Sequence, residues 1–246
     1  MKKLVAYITT GFPTKEFTID LALSLKEAGV DILELGIPFS DPVADGPVIE
    51  EANLKTLQRG FKIDEIFAVS KEIAPKIETF WMGYFNPFYH KGMELFIKNA
   101  KDSGVSGFII PDLPFEEAKS YKEEIQAQGL SLIDFVAPTD PKKRIQKIAK
   151  DAKGFIYLVA YAGITGSSKS EELSEIISVV KDTTSTPLFV GFGVNQNSAK
   201  EKAKGVDGVI VGSAFMKVLL DDRLKEIEKI KKVSKIAKEI KQKINQ

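Results

Sequence analysis

Cysteine is missing from all 246 positions, and histidine occurs once, as His90. Without a thiol the chain can form no disulfide, thiolate nucleophile, zinc–thiolate site or iron–sulfur cluster. A single histidine excludes any two-histidine metal site and makes a Ser-His-Asp triad depend on one residue in a poor context. Long apolar runs are missing as well: none approaches the roughly 20 residues that span a bilayer. The opening Met-Lys-Lys-Leu-Val-Ala-Tyr7 reads directly as a strand. An excess of one charge is also absent, and a net charge of +1 offers no field for general nucleic-acid binding. The expectation is a soluble, cytoplasmic protein with neither nucleic acid nor membrane as partner. What is present is ordinary: 43% hydrophobic and 28% charged residues, over a length that suits one large domain or two small ones.

Short apolar, β-branched or aromatic runs recur at residues 5–9, 32–37, 79–84, 107–111, 131–136, 155–160, 188–191 and 209–212. Helix-patterned segments lie between and after them, at 17–28, 63–73, 93–102, 115–126, 142–150, 171–180, 198–204 and 214–219. Strand alternating with helix in this way predicts an α/β fold, a (β/α)8 TIM barrel, built as a single domain over residues 1–246. A weak repeat agrees: Ala28-Gly-Val, Ser103-Gly-Val and Lys204-Gly-Val each set a glycine between helix and strand, with looser copies at Gln128-Gly-Leu and Lys153-Gly-Phe. Such a glycine supplies the left-handed residue that stops a helix. A doubly wound open sheet is the competing fold, but no Gly-rich dinucleotide fingerprint follows the first strand. From Asp222 onward the chain is Lys-rich, with Ile227, Ile230, Val233, Ala237, Ile240 and Ile244 at helical spacing. That pattern predicts an amphipathic C-terminal helix docked on the domain; Glu226, Glu228 and Glu239 dilute the basic face that a membrane or RNA would need.

The segment Glu34-Leu-Gly-Ile-Pro-Phe-Ser-Asp-Pro-Val-Ala-Asp-Gly-Pro47 carries the chemistry. It places a carboxylate, Glu34, inside an apolar strand and two more, Asp41 and Asp45, in a loop stiffened by Pro38, Pro42 and Pro47. Burying a charge in a strand is costly unless the charge is paired or used, so two readings stand: a structural ion pair, or an acid–base group whose pKa burial raises. In a barrel the site lies at the C-terminal ends of the strands. The last two of these ends, Gly191-Phe192-Gly193 and Gly212-Ser213-Ala214, are small residues opening helices, a suitable cradle for phosphate. Gly163-Ile-Thr-Gly-Ser-Ser168 reads either as a lid or as an ordinary loop. No lysine lies within the eight strand runs or at their C-terminal ends, which argues against a Schiff-base aldolase, and clustered metal ligands are missing too. Carbon–carbon cleavage here would need an electron sink in the substrate itself, such as an indole ring protonated at C3. His90 reads as a surface or capping residue, Trp81 as core and Asp112 as a loop organiser.

With Ile8-Thr-Thr-Gly-Phe-Pro13, Met82-Gly-Tyr-Phe-Asn-Pro87, Ile109-Ile-Pro-Asp-Leu-Pro114 and the run from Tyr157 to Gly166, the 34–47 segment resembles the signature of the tryptophan synthase alpha subunit family. The resemblance implies retro-aldol cleavage of indole-3-glycerol phosphate to indole and glyceraldehyde 3-phosphate, with no cofactor in this chain. It implies a beta-subunit partner carrying pyridoxal phosphate, in an alpha2-beta2 heterotetramer. Position by position it implies Glu34 and Asp45 as the catalytic pair, and Tyr7, Met82, Tyr157, Thr165 and Phe192 against the substrate. Gly166, Gly193, Gly212 and Ser213 would hold the phosphate, and Asp41 and Pro42 would face the partner. Ala160 and Tyr161 depart from the commonest Ser and Arg beside the lid.

Overall fold

The computed structural model describes the backbone of residues 1–159 and 167–246, and their side chains except those of 167–172. The sheet consists of parallel strands β1 (Lys3–Thr9), β2 (Ile32–Gly36), β3 (Glu78–Met82), β4 (Gly107–Ile109), β5 (Ser131–Leu132), β6 (Asp134–Val136), β7 (Ile156–Val159), β8 (Leu188–Gly191) and β9 (Gly208–Val211). Their order is β5-β4-β3-β2-β1-β9-β8-β7-β6. The two ends of that order, β5 and β6, adjoin in the chain across Ile133, whose N–H donates to the Phe108 carbonyl at 2.9 Å. They are halves of one strand, so the sheet closes on itself as an eight-stranded (β/α)8 barrel. Each strand lies on an apolar run that predicted it. The one extension that matters is β1, which begins at Lys3; this lysine sits at the end of the barrel opposite the C-terminal strand ends.

Residue alternation explains what faces where. One apolar side chain from each barrel strand forms an inner layer: Val5, Ile32, Phe80, Ile109, Ile133, Phe155, Phe189 and Ile210. Its aromatic members stack, Phe155 on Phe189 at 4.7 Å and edge-on to Phe80 at 5.4 Å. Two residues further along β1, β2, β3 and the later strands, Tyr7, Glu34, Met82, Phe135 and Tyr157 form the next step toward the C-terminal end. The outward faces, with Leu4, Leu33, Leu35, Trp81, Leu158 and Val190, pack under the helices. The strands are therefore apolar on both faces, as buried parallel strands must be, and the inward Glu34 breaks that rule.

The surrounding helices are α1 (Lys15–Glu27), α2 (Pro47–Gln58), α3 (Asp64–Ile73), α4 (Phe85–Lys91), α5 (Met93–Ser103), α6 (Lys119–Ala127), α7 (Lys142–Asp151), α8 (Ser167–Thr183), α9 (Ala199–Lys202), α10 (Ser213–Leu219) and α11 (Glu226–Ile244). Two of them, α2 and α4, go beyond the helices read from the sequence, and both follow loops at the mouth of the barrel. Proline at the first position of α2 suits a helix start, since its ring presets φ and its missing N–H is not needed there. α6 begins later than expected because residues 115–118 turn on the Pro114 carbonyl first. α9 is a single turn rather than the longer helix expected. The glycine repeat is real in backbone terms: Gly29, Gly104, Gly129, Gly154 and Gly205 have φ between 71° and 95°. α11 buries Val233, Ala237, Ile240 and Ile244, and it is fastened by Lys241, whose Nζ donates to Asp31 at 2.5 Å and to the Lys2 carbonyl at 2.9 Å.

Candidate active site

The barrel opens at its C-terminal end into a cavity of about 700 Å³. Glu34 lies at its base, 2% exposed, opposite Tyr7 on β1 and Phe80 on β3 in the ladder register. Burial, with the charge of Asp45 as a second contribution, raises the Glu34 carboxyl to about 8. Among the described residues no cation pairs with it, and its Oε1 is buried without a hydrogen-bond partner. The structural ion-pair reading of Glu34 therefore fails. A buried carboxyl held this way is protonated near neutral pH, able to donate a proton and to take one back.

Two tyrosines flank it. The phenols of Tyr7 and Tyr157 are both raised well above the usual tyrosine value, chiefly by burial, so both stay neutral. Glycine makes room for them: a Cβ on Gly36 would stand 2.2 Å from the Tyr7 hydroxyl, and one on Gly191 would stand 2.3 Å from that of Tyr157. Phe135 stacks on Tyr157 at 5.0 Å, and Met82 completes an apolar wall. Phe192, 39% exposed with φ 98°, is the one described non-glycine residue in the left-handed region, and it lines the same cavity.

Asp45 reaches the cavity from the loop after β2 and is held from two sides. The Tyr84 hydroxyl accepts the Ala44 N–H at 2.9 Å, and the Tyr84 ring stacks on Phe39 at 5.3 Å. Asn53, buried on α2, donates to Asp45 Oδ2 at 3.4 Å. Burial moves the Asp45 carboxyl up to about 6, while the hydrogen bonds from Tyr84 and Asn53 restrain the rise. Neither Tyr84 nor Asn53 was singled out from the sequence. A signal for Asn53 exists, as it is a polar residue on the buried Ile49, Ala52, Asn53, Thr56 face of α2, but that helix had first to be recognised.

Gly193, Gly212 and Ser213 line the same cavity, with Gly212 against Ile49 of α2 and Tyr7 of β1. Gly212 and Ser213 open α10 as expected, whereas Gly193 is followed by a turn and the short α9 begins only at Ala199. Asp41 is exposed and Pro42 half-buried at the rim, next to Val43, which is 82% exposed. Thr165, Gly166, Ala160 and Tyr161 lie outside the described residues. His90 is exposed in the last turn of α4. Trp81 is core, its Nε1–H donating to Ser70 Oγ at 2.7 Å, and Asp112 accepts the Phe85 N–H at 2.8 Å, tying down the start of α4. No group of residues suited to a metal ion occurs among the described residues.

A closed (β/α)8 barrel with two coupled carboxyls and an apolar wall at the C-terminal strand ends defines a barrel enzyme of the acid–base type. The family model for the tryptophan synthase alpha chain matches residues 1–245, and the chain belongs to that family. It is 56% identical over 246 residues to the tryptophan synthase alpha chain of Wolinella succinogenes, covering all of this chain and 96% of the relative. Among solved structures, tryptophan synthase subunit alpha from Campylobacter jejuni superposes with a TM-score of 0.87 at 36% identity, covering 97% of this chain and 95% of that one. A ligand-free tryptophan synthase from M. tuberculosis superposes at 0.88 with 29% identity, covering 100% and 94%.

Proposed function

We propose that Glu34 and Asp45 are the acid–base pair with which this chain cleaves indole-3-glycerol phosphate to indole and glyceraldehyde 3-phosphate. The observation that carries the assignment is the buried, unpaired carboxyl of Glu34 facing a cavity walled by aromatic and apolar groups. Protonated Glu34 delivers its proton to C3 of the indole ring. The ring nitrogen becomes cationic, and the Asp45 carboxylate holds its N–H and offsets the charge. The side-chain hydroxyl gives up its proton to Glu34 as the bond to C3 breaks; the bonding pair returns to the ring and the hydroxyl carbon becomes the aldehyde. Glu34 ends protonated, so the cycle closes without a cofactor in this chain.

Tyr7, Met82, Tyr157 and Phe192 enclose the indole, and their apolar surfaces suit a flat ring. The backbone at Gly193, Gly212 and Ser213 receives the phosphate, and the family resemblance adds Gly166 as a phosphate residue and Thr165 as a substrate-site residue. Indole then passes to a beta subunit, whose pyridoxal phosphate carries the second half-reaction in an alpha2-beta2 assembly. Asp41 and Pro42 face that partner, a placement supported by their position on a rim with an exposed Val43. Residues 1–246 act as one domain and work in the cytoplasm. The test is indole release from indole-3-glycerol phosphate by the wild type and by Glu34→Gln, with and without a beta subunit. Indole from the wild type alone, accelerated by the partner, is expected; full activity of Glu34→Gln in the complex would mean that this chain only binds and activates its partner.

A further inference from the structure

The substrate of the proposed reaction brings a phosphate dianion into a cavity that already holds the Asp45 carboxylate. Backbone N–H groups orient phosphate but contribute no net charge. Two lysines lie near the glycine strand ends, one lining the cavity and one beside Gly193 outside that lining. Lys217 on α10 is the only cationic side chain lining the cavity among the described residues. It follows Ser213 by four positions, so the two share a helix face, and helical side chains lean back toward the N-terminal end. Lys202, the last residue of α9, holds its Nζ 3.9 Å from the point that a Cβ on Gly193 would occupy. It is half-buried, and that burial holds its ammonium below the ordinary lysine value. Among the described residues neither lysine joins an ion pair. Lys217 is exposed at the cavity, while the partly desolvated ammonium of Lys202 is unfavourable without an ion-pair partner and becomes favourable when an anion arrives.

We propose that Lys217 and Lys202, one beside each glycine strand end, supply the counter-charge for the substrate phosphate and set the preference for a phosphorylated side chain. This assignment rests on phosphate binding at Gly193 and Gly212. Both lysines are binding and specificity residues, and neither touches the bond that breaks. The probes are glyceraldehyde 3-phosphate, inorganic phosphate and indole, titrated calorimetrically into the wild-type chain and into K202Q/K217Q and K202R/K217R. The glutamine pair should bind both phosphates about tenfold more weakly, with a shallower dependence on salt, and should bind indole as the wild type does. Its KM for indole-3-glycerol phosphate should rise by a similar factor at nearly constant kcat. The arginine pair should stay within about threefold of the wild type, because it keeps the charge. Phosphate affinity unchanged by the glutamine pair, or lost equally in the arginine pair, overturns the proposal. Lysine-dependent phosphate binding in a wild type that releases no indole would uphold it and remove the lyase reading; indole release with lysine-independent phosphate affinity would do the reverse.

Discussion

Replacing Glu34 by glutamine should abolish catalysis and stabilise the fold, and the gain in stability should grow with pH. The carboxyl moves from an ordinary 4.5 to about 8 on folding. Between those values the unfolded chain is ionised at this position while the folded chain holds a proton, so stability falls as pH rises. At about 1.36 kcal/mol per pKa unit, the penalty is roughly 1 kcal/mol at pH 5, about 3 at pH 7 and about 4–5 above pH 8. Glutamine has nearly the same shape and no charge to desolvate, so Glu34→Gln escapes that penalty at every pH. Titrating groups that do not interact with Glu34 affect both proteins alike and cancel in the comparison. Denaturant unfolding of wild type and variant at pH 5, 7 and 8.5, followed by the fluorescence of the buried single Trp81, measures it. A difference in stability between the two that widens by about 3–4 kcal/mol from pH 5 to 8.5 is expected. The same difference at all three pH values would refute the burial argument, whatever happened to activity.

Further outcomes follow from the same geometry. The pH profile of kcat/KM should be a bell with limbs near 6, where Asp45 loses its charge, and near 8, where Glu34 loses its proton, both values belonging to the coupled pair. Tyr84→Phe removes the hydroxyl that holds the Ala44 N–H and restrains the Asp45 carboxyl, so the acid limb should move up and kcat/KM fall about tenfold while indole affinity holds. Gly191→Ala puts a methyl where the Tyr157 hydroxyl sits, and unfolding measurements should show a loss of about 1–3 kcal/mol together with weaker indole binding. Lys241→Met breaks the tie between α11 and Asp31, and should cost about 1–2 kcal/mol in denaturant titration without changing the pH profile.

Much of this architecture was legible because its signals are local. The barrel strands are continuous apolar runs, which parallel strands covered on both faces require, and each glycine between helix and strand adopted the left-handed backbone that its position implied. Glu34 stood out for the same reason, as a charge interrupting such a run. The helices α2 and α4 were less visible, since proline-rich and aromatic stretches at loop ends carry little helical periodicity, and their start points depend on the loops that precede them.

The sequence by itself determined the order of the elements, the candidate carboxylates and the chemistry that absent residues exclude, because composition and period-two or period-3.6 patterning are properties of the chain alone. Tertiary structure alone decided the environment of each group. Closure across Ile133 brings Tyr157 from β7 into the same cavity as Glu34 from β2, where burial first and the charge of Glu34 second raise the Tyr157 phenol. Asn53 and Tyr84, eight residues after Asp45 and on a different strand end, meet the loop only once α2 and β3 are packed. Whether Glu34 is ionised at neutral pH, and whether any cation neutralises it, depends on how much water and how many partners the fold leaves around it. Those are distances through space between residues far apart in the chain, which no local pattern encodes.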